Sequence, residues 1–402
     1  MRVLHLTLEK KGGAGIAAGR SVAALRAVGL EAELCDASQL ASHRWIRWLA
    51  RLDYAPLRLY RRRSLYSSWS NAWFSGGMAA RVRRLGADVV HLHWVGHGLL
   101  SFREVERLGV PVVWTLHDAW AFTGGCHYPG ECRRYEEGCG ACPQLGSSLS
   151  WDLSRWNRHR RRDLPQSVLR WLVPSRWLGD LARTSGLIEA GAVRVVPNTL
   201  DLGVFDPRGR KEARRRLGIA DNELVFAVGS LDLDEVRKGN HLLPEIFAAW
   251  RQRCSENAAR LLIFGGKGGA GFSIEGLRLQ PVGLLDGEGA VAALLAAADV
   301  LLLPSLQDNL PNVAVEAQAC GCPVLGFDTG GLREIIEPGV TGWIVDTVSA
   351  AAAGDLLAQK TAELRARRGE LAMVCRERAE RLFSPSRHAC ALQDIYAEAR
   401  EK

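Results

Sequence analysis

The hydrophobic residues of this chain are grouped in short continuous runs, which alternate with polar turns and amphipathic helical stretches. One such unit has an apolar run at 300–303, a helical pattern from Pro311 to just before Gly321, and a second apolar run at 324–327. Proline suits the first turn of a helix, and glycine suits the position that follows its last turn. Continuous apolar strands joined by helices predict a parallel sheet, whose ligands are expected at the carboxyl ends of the strands.

The same alternation occurs twice along the chain, first from a strand pattern at 2–8 and again from 224–228. A chain of 402 residues that is 47% hydrophobic is long enough for two or three domains with separate cores. We predict one domain over 1–203 and a second over 204–385. No apolar run approaches the ~20 residues that a membrane helix needs, and no signal peptide precedes the first strand, so we expect a cytoplasmic protein.

Two carboxylates, Asp308 and Glu316, flank the predicted helix start that follows the run at 300–303. The N–H groups of a helix start bind anions, while carboxylates accept hydrogen bonds from sugar or ribose hydroxyls. This arrangement predicts a nucleotide-sugar site. The alternative is that Asp308 caps the helix and Glu316 is a solvated helix residue.

The spacing of the two acids resembles the E-x7-E signature of the retaining glycosyltransferases of family 4, with Asp308 in place of the first glutamate. The Asp-Asn-Leu-Pro-Asn stretch that begins at Asp308 is similar to the exopolysaccharide transferases of the colanic-acid type. The resemblance implies that Asp308 contacts the donor sugar and that Glu316 contacts the ribose. It also implies that the donor pyrophosphate is held by backbone amides near Asn309, Leu310, Asn312 and Val313.

Membership of this family would imply an α/β protein of the GT-B fold, with two Rossmann-like doubly wound domains facing a central cleft. The last helix, within 386–402, would return to the N-terminal domain. The donor would be a UDP- or GDP-sugar and the acceptor a saccharide or lipid-linked saccharide, as in bacterial surface polysaccharide synthesis, with no cofactor needed for catalysis. A nucleotide-sugar epimerase shares this architecture and is an alternative.

Further candidate residues lie at the ends of other predicted strands. His117 follows the strand pattern at 112–116, and the family's Leu-His-Asp element places this histidine beside the donor sugar, whereas the alternative is a core histidine. Arg237 and Lys238 precede a helix predicted from Asn240. Two cations at a helix start favour the binding of a phosphate group. Lys238 also matches a lysine of the family. The alternative is that both residues are ordinary surface cations.

A glycine-rich stretch with Gly12, Gly13 and Gly15 separates the first strand from a helix predicted to run from Ile16 to Val28. Glycines at such a turn let backbone N–H groups approach the donor phosphate or the acceptor. The stretch also fits the dinucleotide fingerprint, which leaves an NAD-dependent oxidoreductase as an alternative. In that fingerprint, however, the strand runs directly into the first glycine, and here a charged insertion intervenes.

Four of the ten cysteines are clustered with the spacing C-x5-C-x6-C-x2-C. Four thiolates can close a tetrahedral zinc site, and a reducing compartment favours a structural metal over disulfides. Redox switching and unliganded thiols are the alternatives, and His127 is a substitute ligand. The zinc ligands predicted by this spacing are Cys126, Cys132, Cys139 and Cys142.

The formal net charge is +8, and arginines are interleaved with tryptophans and tyrosines over 43–74. This composition suits peripheral contact with an anionic membrane, here at the inner face. The alternative is the solvated face of a helical pair. We expect no nucleic-acid partner, and a basic nucleic-acid-binding protein with a zinc knuckle is the non-enzymatic alternative.

Overall fold

The computed structural model describes residues 1–162, 169–254, 258–267 and 273–400. The chain separates into two compact units. The first comprises Met1–Thr199 together with Pro385–Lys402, and the second comprises Leu200–Ser384.

The first unit contains the strands β1 (Arg2–Thr7), β2 (Glu31–Asp36), β3 (Val89–Leu92), β4 (Val112–Thr115), β5 (Leu169–Val173) and β6 (Val193–Val195). They form one sheet in the order β2-β1-β3-β4-β5-β6, and every neighbouring pair is parallel. All residues of β3 and β4 are buried. Burial on both faces explains why the strands occur in the sequence as continuous apolar runs.

The second unit contains the strands β7 (Leu224–Asp232), β8 (Ala259–Lys267), β9 (Arg278–Gly283), β10 (Val300–Leu303), β11 (Val324–Phe327) and β12 (Gly342–Val345). They form a parallel sheet in the order β12-β11-β10-β7-β8-β9. The predicted α/β class with two Rossmann-like parallel sheets is confirmed. Because β10 lies beside β7, the segments that follow these two strands meet at one edge of the sheet.

Helices connect the strands and cover both sheets. In chain order they are α1 (Gly12–Ala27), α2 (Ala37–Leu40), α3 (His43–Tyr54), α4 (Met78–Arg84), α5 (Phe102–Glu106), α6 (Leu153–Arg160), α7 (Arg176–Thr184), α8 (Arg210–Arg216), α9 (Leu243–Arg253), α10 (Glu288–Ala297), α11 (Asn312–Ala319), α12 (Leu332–Ile335), α13 (Ala350–Ala366), α14 (Arg368–Phe383) and α15 (Pro385–Arg400).

The C-terminal helix α15 packs on the first sheet. Its residues Leu392, Ile395 and Tyr396 are buried in one apolar cluster with Val3 of β1 and Val113 of β4. The burial of these side chains gives a favourable hydrophobic free energy, which holds the end of the chain on the first unit.

Two local expectations are wrong. Helix α1 begins at Gly12 rather than at Ile16. The stretch 43–74 is not a helical pair, because α3 is followed only by a short 3-10 helix, Ala55–Leu59, and then by irregular chain. Within the described ranges, no helix has both the length and the apolar character that crossing a membrane requires.

Candidate functional site

The second unit brings Asp308 together with the two cations that the sequence placed seventy residues earlier. Asp308 lies between β10 and α11 and is 8% exposed. The Lys238 Nζ lies 2.6 Å from Asp308 Oδ2, and the Arg237 Nη1 lies 3.3 Å from Asp308 Oδ1. The predicted phosphate-binding cations and the predicted sugar-binding acid therefore form one ion-paired cluster.

The segment after β7 reaches this cluster because Gly239 allows a close approach. Gly239 has φ +68°, and a Cβ at this position would lie 1.8 Å from the Pro304 carbonyl oxygen. The Leu306 N–H donates to the Arg237 carbonyl at 2.8 Å, and Arg237 Nη1 donates to the Gln307 carbonyl at 2.9 Å. The expected helix from Asn240 starts instead as a 3-10 turn, and α9 itself begins at Leu243.

The Asp308 carboxylate is ionised because of its cationic neighbours. Burial alone would raise its pKa, but the Lys238 ammonium and the Arg237 guanidinium outweigh burial and lower the pKa to about 2. Its Oδ1 also accepts from the Asn309 N–H at 3.0 Å. A carboxylate in this state is a hydrogen-bond acceptor and not a proton donor near neutral pH.

The turn that contains Asp308 is held by the loop after β11. Gly330 has φ +61°, and a Cβ there would lie 1.6 Å from the Asp308 carbonyl oxygen. The Gly331 N–H donates to the carbonyls of Asp308 at 3.1 Å and Asn309 at 2.8 Å. Only glycine fits this approach, so the Gly330-Gly331 pair fixes the backbone that carries the acid.

The first turn of α11 follows the same segment. Pro311 is its N-cap, and no side chain caps the helix, so the alternative of Asp308 as a helix cap is wrong. Glu316 lies on the second turn and is 8% exposed, which excludes a solvated role. Leu310 precedes the helix, and Asn312 begins it, so the predicted phosphate-binding amides lie at a helix start.

The predicted glycine loop is not a loop. Gly12, Gly13 and Gly15 lie in the first turn of α1, whose N-cap is Lys11. A Cβ on Gly15 would lie 2.2 Å from the Glu9 carbonyl oxygen, so this glycine is needed for the chain to fold back on the helix start. The dinucleotide fingerprint requires its glycines in the strand-to-helix turn, and this placement disfavours the NAD-dependent alternative.

In the first unit, His117 belongs to a chain of buried hydrogen bonds. His117 Nε2 lies 2.9 Å from His93 Nδ1, and His93 Nε2 lies 2.9 Å from His5 Nδ1. His5 Nε2 lies 3.2 Å from the Tyr396 hydroxyl, which lies 2.7 Å from His91 Nδ1. Each contact needs one donor and one acceptor, so the tautomers of all four histidines are coupled.

These imidazoles are neutral near pH 7. Burial lowers the pKa of His117 to about 4 and that of His5 to about 3, and it also lowers the pKa of His91 and His93 well below the usual value of a histidine. A neutral His117 can donate or accept one hydrogen bond at a hydroxyl without adding charge. The sequence did not reveal this chain, since it depends on β1, β3 and α15 meeting in space.

His127 is unsuited to be a metal ligand here, because both ring nitrogens are engaged. Its Nδ1 lies 2.8 Å from Asp118 Oδ2, and its Nε2 lies 3.1 Å from the Ser70 hydroxyl. Asp118 also accepts from the Trp120 N–H at 2.8 Å. Asp118 thus holds the loop that leads into the cysteine cluster.

The cysteine cluster is brought together around one small cavity, which all four of its cysteines line. Their sulfur atoms do not form a group within 4.8 Å of one another; among the described residues such a group is formed by His5, His91 and His93. Those three rings are stacked or tilted on one another with centroids 4.5 to 5.2 Å apart, and their nitrogens are used in the hydrogen-bond chain. In this structure the histidine group is therefore part of a hydrogen-bond network.

Two protein-family models match the chain. The model described as glycosyltransferase family 4 matches residues 11–204, and the model described as glycosyl transferases group 1 matches residues 222–363.

Similar curated proteins are named D-inositol 3-phosphate glycosyltransferase. That of Actinosynnema mirum is 38% identical over 286 residues, which are 64% of this chain and 60% of that protein. That of Xylanimonas cellulosilytica is 29% identical over 350 residues, which are 82% of this chain and 77% of that protein. The match to the first relative thus spans less than two thirds of its length.

Two solved structures share the fold over almost the whole chain. Anabaena HepE, in complex with UDP-glucose, has a TM-score of 0.65 at 16% identity and covers 99% of this chain and 100% of its own. Sucrose-phosphate synthase from Thermosynechococcus elongatus has a TM-score of 0.65 at 19% identity and covers 99% of both chains. The fold is therefore of the GT-B type, and with the two family models together matching most of the sequence, the chain belongs to the glycosyltransferases of family 4.

Proposed function

We propose that this protein transfers a sugar from a nucleoside-diphosphate sugar to a saccharide acceptor, with retention of anomeric configuration. The observation that carries the proposal is the buried cluster of Lys238, Arg237 and Asp308 beside the start of α11. A diphosphate sugar requires cations and amides for its diphosphate and a carboxylate acceptor for its hydroxyls. All three are found here at the carboxyl edge of a parallel sheet.

Lys238, Arg237 and the amides at the start of α11 are assigned to the diphosphate. They would stabilise the negative charge that develops on the leaving group, which is why no metal ion is needed in this step. Asp308 and Glu316 are assigned to sugar and ribose hydroxyls as acceptors. Because Asp308 is paired with two cations, its carboxylate is better suited to binding than to nucleophilic attack.

His117 is assigned to the donor sugar, as the family resemblance implies. Its neutral imidazole is oriented by the hydrogen bond between its Nε2 and His93 Nδ1. Of the two donor classes, UDP-sugars are favoured, since Anabaena HepE has been crystallised with UDP-glucose.

The proposed acceptor is a lipid-linked saccharide at an anionic membrane surface. Helix α3 buries Ile46 and Leu49 but exposes Trp45 at 41% and Trp48 at 48%, with the two indole rings stacked 5.0 Å apart. The one acid of the stretch 43–74, Asp53, is buried and accepts from three backbone amides, so the exposed charges are all positive. Exposed tryptophans among arginines fit an anionic bilayer surface.

A donor and acceptor panel tests the function. Purified protein is incubated with UDP- and GDP-sugars, first for thermal stabilisation and then for transfer to lipid-linked saccharides and to D-inositol 3-phosphate. We expect a UDP-sugar to raise the melting temperature and to be consumed only when an acceptor is present. Turnover of the sugar without an acceptor would point to an epimerase, and no stabilisation by any nucleotide sugar would refute the donor site.

A further inference from the structure

The cysteine cluster of the first unit has the chemistry of a metal site. All four cysteines are free thiols and line one cavity, together with Trp69 and Tyr135. No histidine or acidic residue lines this cavity in the described structure, so sulfur atoms are its strong metal-binding groups.

Backbone amides already point at two of the sulfur atoms. The Gly124 N–H donates to the Cys139 sulfur. The N–H groups of Gln144 and Leu145 donate to the Cys142 sulfur. Burial raises the pKa of both thiols, and hydrogen bonds of this kind oppose that rise because they favour the thiolate, the form that binds a metal.

Two buried arginines lie beside the cluster, and among the described residues Arg158 has no carboxylate partner, whereas Arg161 interacts with Asp53 without an ion-pair contact. Arg158 is 3% exposed and Arg161 is 2% exposed. Arg158 donates to the Ser185 carbonyl, and Arg161 donates to carbonyls that include that of Trp120. Within the part of the chain that the structure describes, the Nε of both arginines and the Nη1 of Arg158 have no hydrogen-bond partner. Both guanidinium groups interact with Cys139. Buried cations are costly unless a negative charge accompanies them.

We propose that the cluster binds one Zn²⁺ as a tetrathiolate whose charge is balanced by the two arginines. Four thiols would lose four protons on binding, and one Zn²⁺ with four thiolates has a net charge of −2, which two guanidinium groups neutralise. The ligands are Cys126, Cys132, Cys139 and Cys142.

The local backbone fits such a site. Cys139 and Ala141 have φ of +62° and +43°, and Gly140 between them has φ +101°, so the first three residues of the C-x2-C turn have positive φ. A left-handed conformation is rare for residues other than glycine and occurs where the surroundings enforce it. In a tetrathiolate with Zn–S of about 2.3 Å the sulfur atoms are roughly 3.8 Å apart, so metal binding draws the four thiols inward by side-chain rotation.

The role of the metal would be structural. Between the 3-10 helix that ends at Phe122 and the start of α6 at Leu153, the chain contains no helix and no named strand. An irregular segment of this length needs cross-links to hold one conformation. This segment follows His117 and Asp118 in the chain. Zinc would therefore fix the loop next to His117, which is assigned to the donor sugar, and would take no part in the reaction.

The test begins with the full-length protein purified without chelators. Metal analysis should find about one zinc per chain, and replacement by Co²⁺ should give the visible absorption of a tetrahedral thiolate complex. Cys139→Ser and Cys142→Ser should each lose most of the zinc, whereas the exposed control Cys390→Ser should retain it. Protein without zinc that also fails to bind added Zn²⁺ or Co²⁺ would overturn the proposal, as would iron in place of zinc.

A second measurement avoids the risk that the cysteine variants fail to fold. In the wild-type protein, alkylation followed by mass spectrometry should find the four cluster cysteines protected, and a chelator should expose them. Arg158→Met should increase the rate of zinc loss to a chelator at least tenfold, whereas the partly exposed control Arg183→Met should leave the rate unchanged. Equal rates for both variants would refute the charge-balancing role, and four reactive thiols before chelation would refute zinc binding.

Discussion

Lys238 and Asp308 lie seventy residues apart in the chain, yet the Lys238 Nζ donates to Asp308 Oδ2 at 2.6 Å. The contact exists because β7 and β10 are neighbours in the second sheet and because Gly239 lets the first loop lie against the second. One residue of the pair is assigned to the diphosphate and the other to the sugar. Any change in one of them should therefore alter the electrostatic environment of the other.

Lys238→Ala should weaken the binding of the nucleoside diphosphate more than that of the free nucleoside. The loss of a charge-assisted phosphate contact costs about 1.5–3 kcal/mol, which is roughly 10- to 100-fold in affinity. Titration calorimetry with both ligands measures the difference, and the exposed Lys211→Ala is the matched control. Equal losses for nucleoside and diphosphate would show that Lys238 does not touch phosphate.

Glu316→Gln should abolish transfer while the protein stays folded. The substitution keeps the size of the side chain but removes the charge of a buried residue on α11 that is assigned to the ribose. Initial rates with saturating donor and thermal unfolding should be measured on the same preparation. The exposed Glu377→Gln on α14 is the control, and a fully active Glu316→Gln enzyme would remove Glu316 from the donor site.

The two units should lose stability over different ranges of pH. Unfolding exposes His5 and His117, whose folded pKa values are about 3 and about 4 against 6.5 in an exposed histidine. The unfolded chain takes up these protons, so stability of the first unit is complete above about pH 6.5 and falls by up to about 1.4 kcal/mol per pH unit for each histidine as the pH is lowered toward 4.

Asp308 affects the stability of the second unit over a lower range of pH. Its folded pKa of about 2 lies below the usual 3.8, so the carboxylate contributes about 2 kcal/mol to the second unit above pH ~4, and this contribution is lost as the pH falls toward 2. Hydrogen exchange with peptide resolution, measured at several pH values, should show the first unit opening at the higher pH. The control is His159→Gln at an exposed position, which should not change the order in which the two units open. The prediction would be contradicted if the stability of the first unit were constant from about pH 7 to 4.5.

Gly330→Ala should destabilise the second unit and weaken donor binding. A Cβ at this position meets the Asp308 carbonyl oxygen at 1.6 Å, and φ is +61°, so the Asp308 turn must move at a cost of about 1–3 kcal/mol. Gly289→Ala is the matched control, since no atom lies within 4 Å of its Cβ position on α10, where alanine is favoured by up to about 1 kcal/mol. Denaturant unfolding and calorimetry should separate the two variants, and equal behaviour would mean that the Asp308 turn tolerates a side chain.

Binding to vesicles should depend on the exposed face of α3. Co-sedimentation should rise with the fraction of anionic lipid and fall with salt, because each arginine near the surface contributes on the order of 1 kcal/mol, screened by ions. A variant with Trp45→Ser, Trp48→Ser, Arg44→Ser and Arg47→Ser should bind much less.

The control for this experiment is Arg215→Ser with Arg216→Ser, which removes two exposed arginines of α8 in the second unit. Its vesicle binding should equal that of the wild type. If wild-type protein ignores anionic vesicles at low salt, the face of α3 is a solvated surface, and a soluble acceptor replaces the lipid-linked one.

Much of this molecule could be predicted from the order of its residues. Apolar runs with the length of strands, separated by helical patterns, are local features, and they predicted two parallel sheets. The acids Asp308 and Glu316 and the imidazole of His117 could be singled out because strand ends locate functional positions in such sheets. The cysteine spacing was equally visible in the sequence, and its use as a metal site stays a prediction.

The tertiary structure alone decided the rest, because those contacts join residues that are distant in the chain. The pairing of Lys238 with Asp308 follows from the strand order, and the contact of His5 with Tyr396 follows from the return of α15 to the first sheet. The same holds for burial: no local pattern distinguishes Arg161, which is enclosed, from the exposed Arg162 next to it. Local sequence determines which elements form, whereas burial and charge pairing depend on how those elements pack.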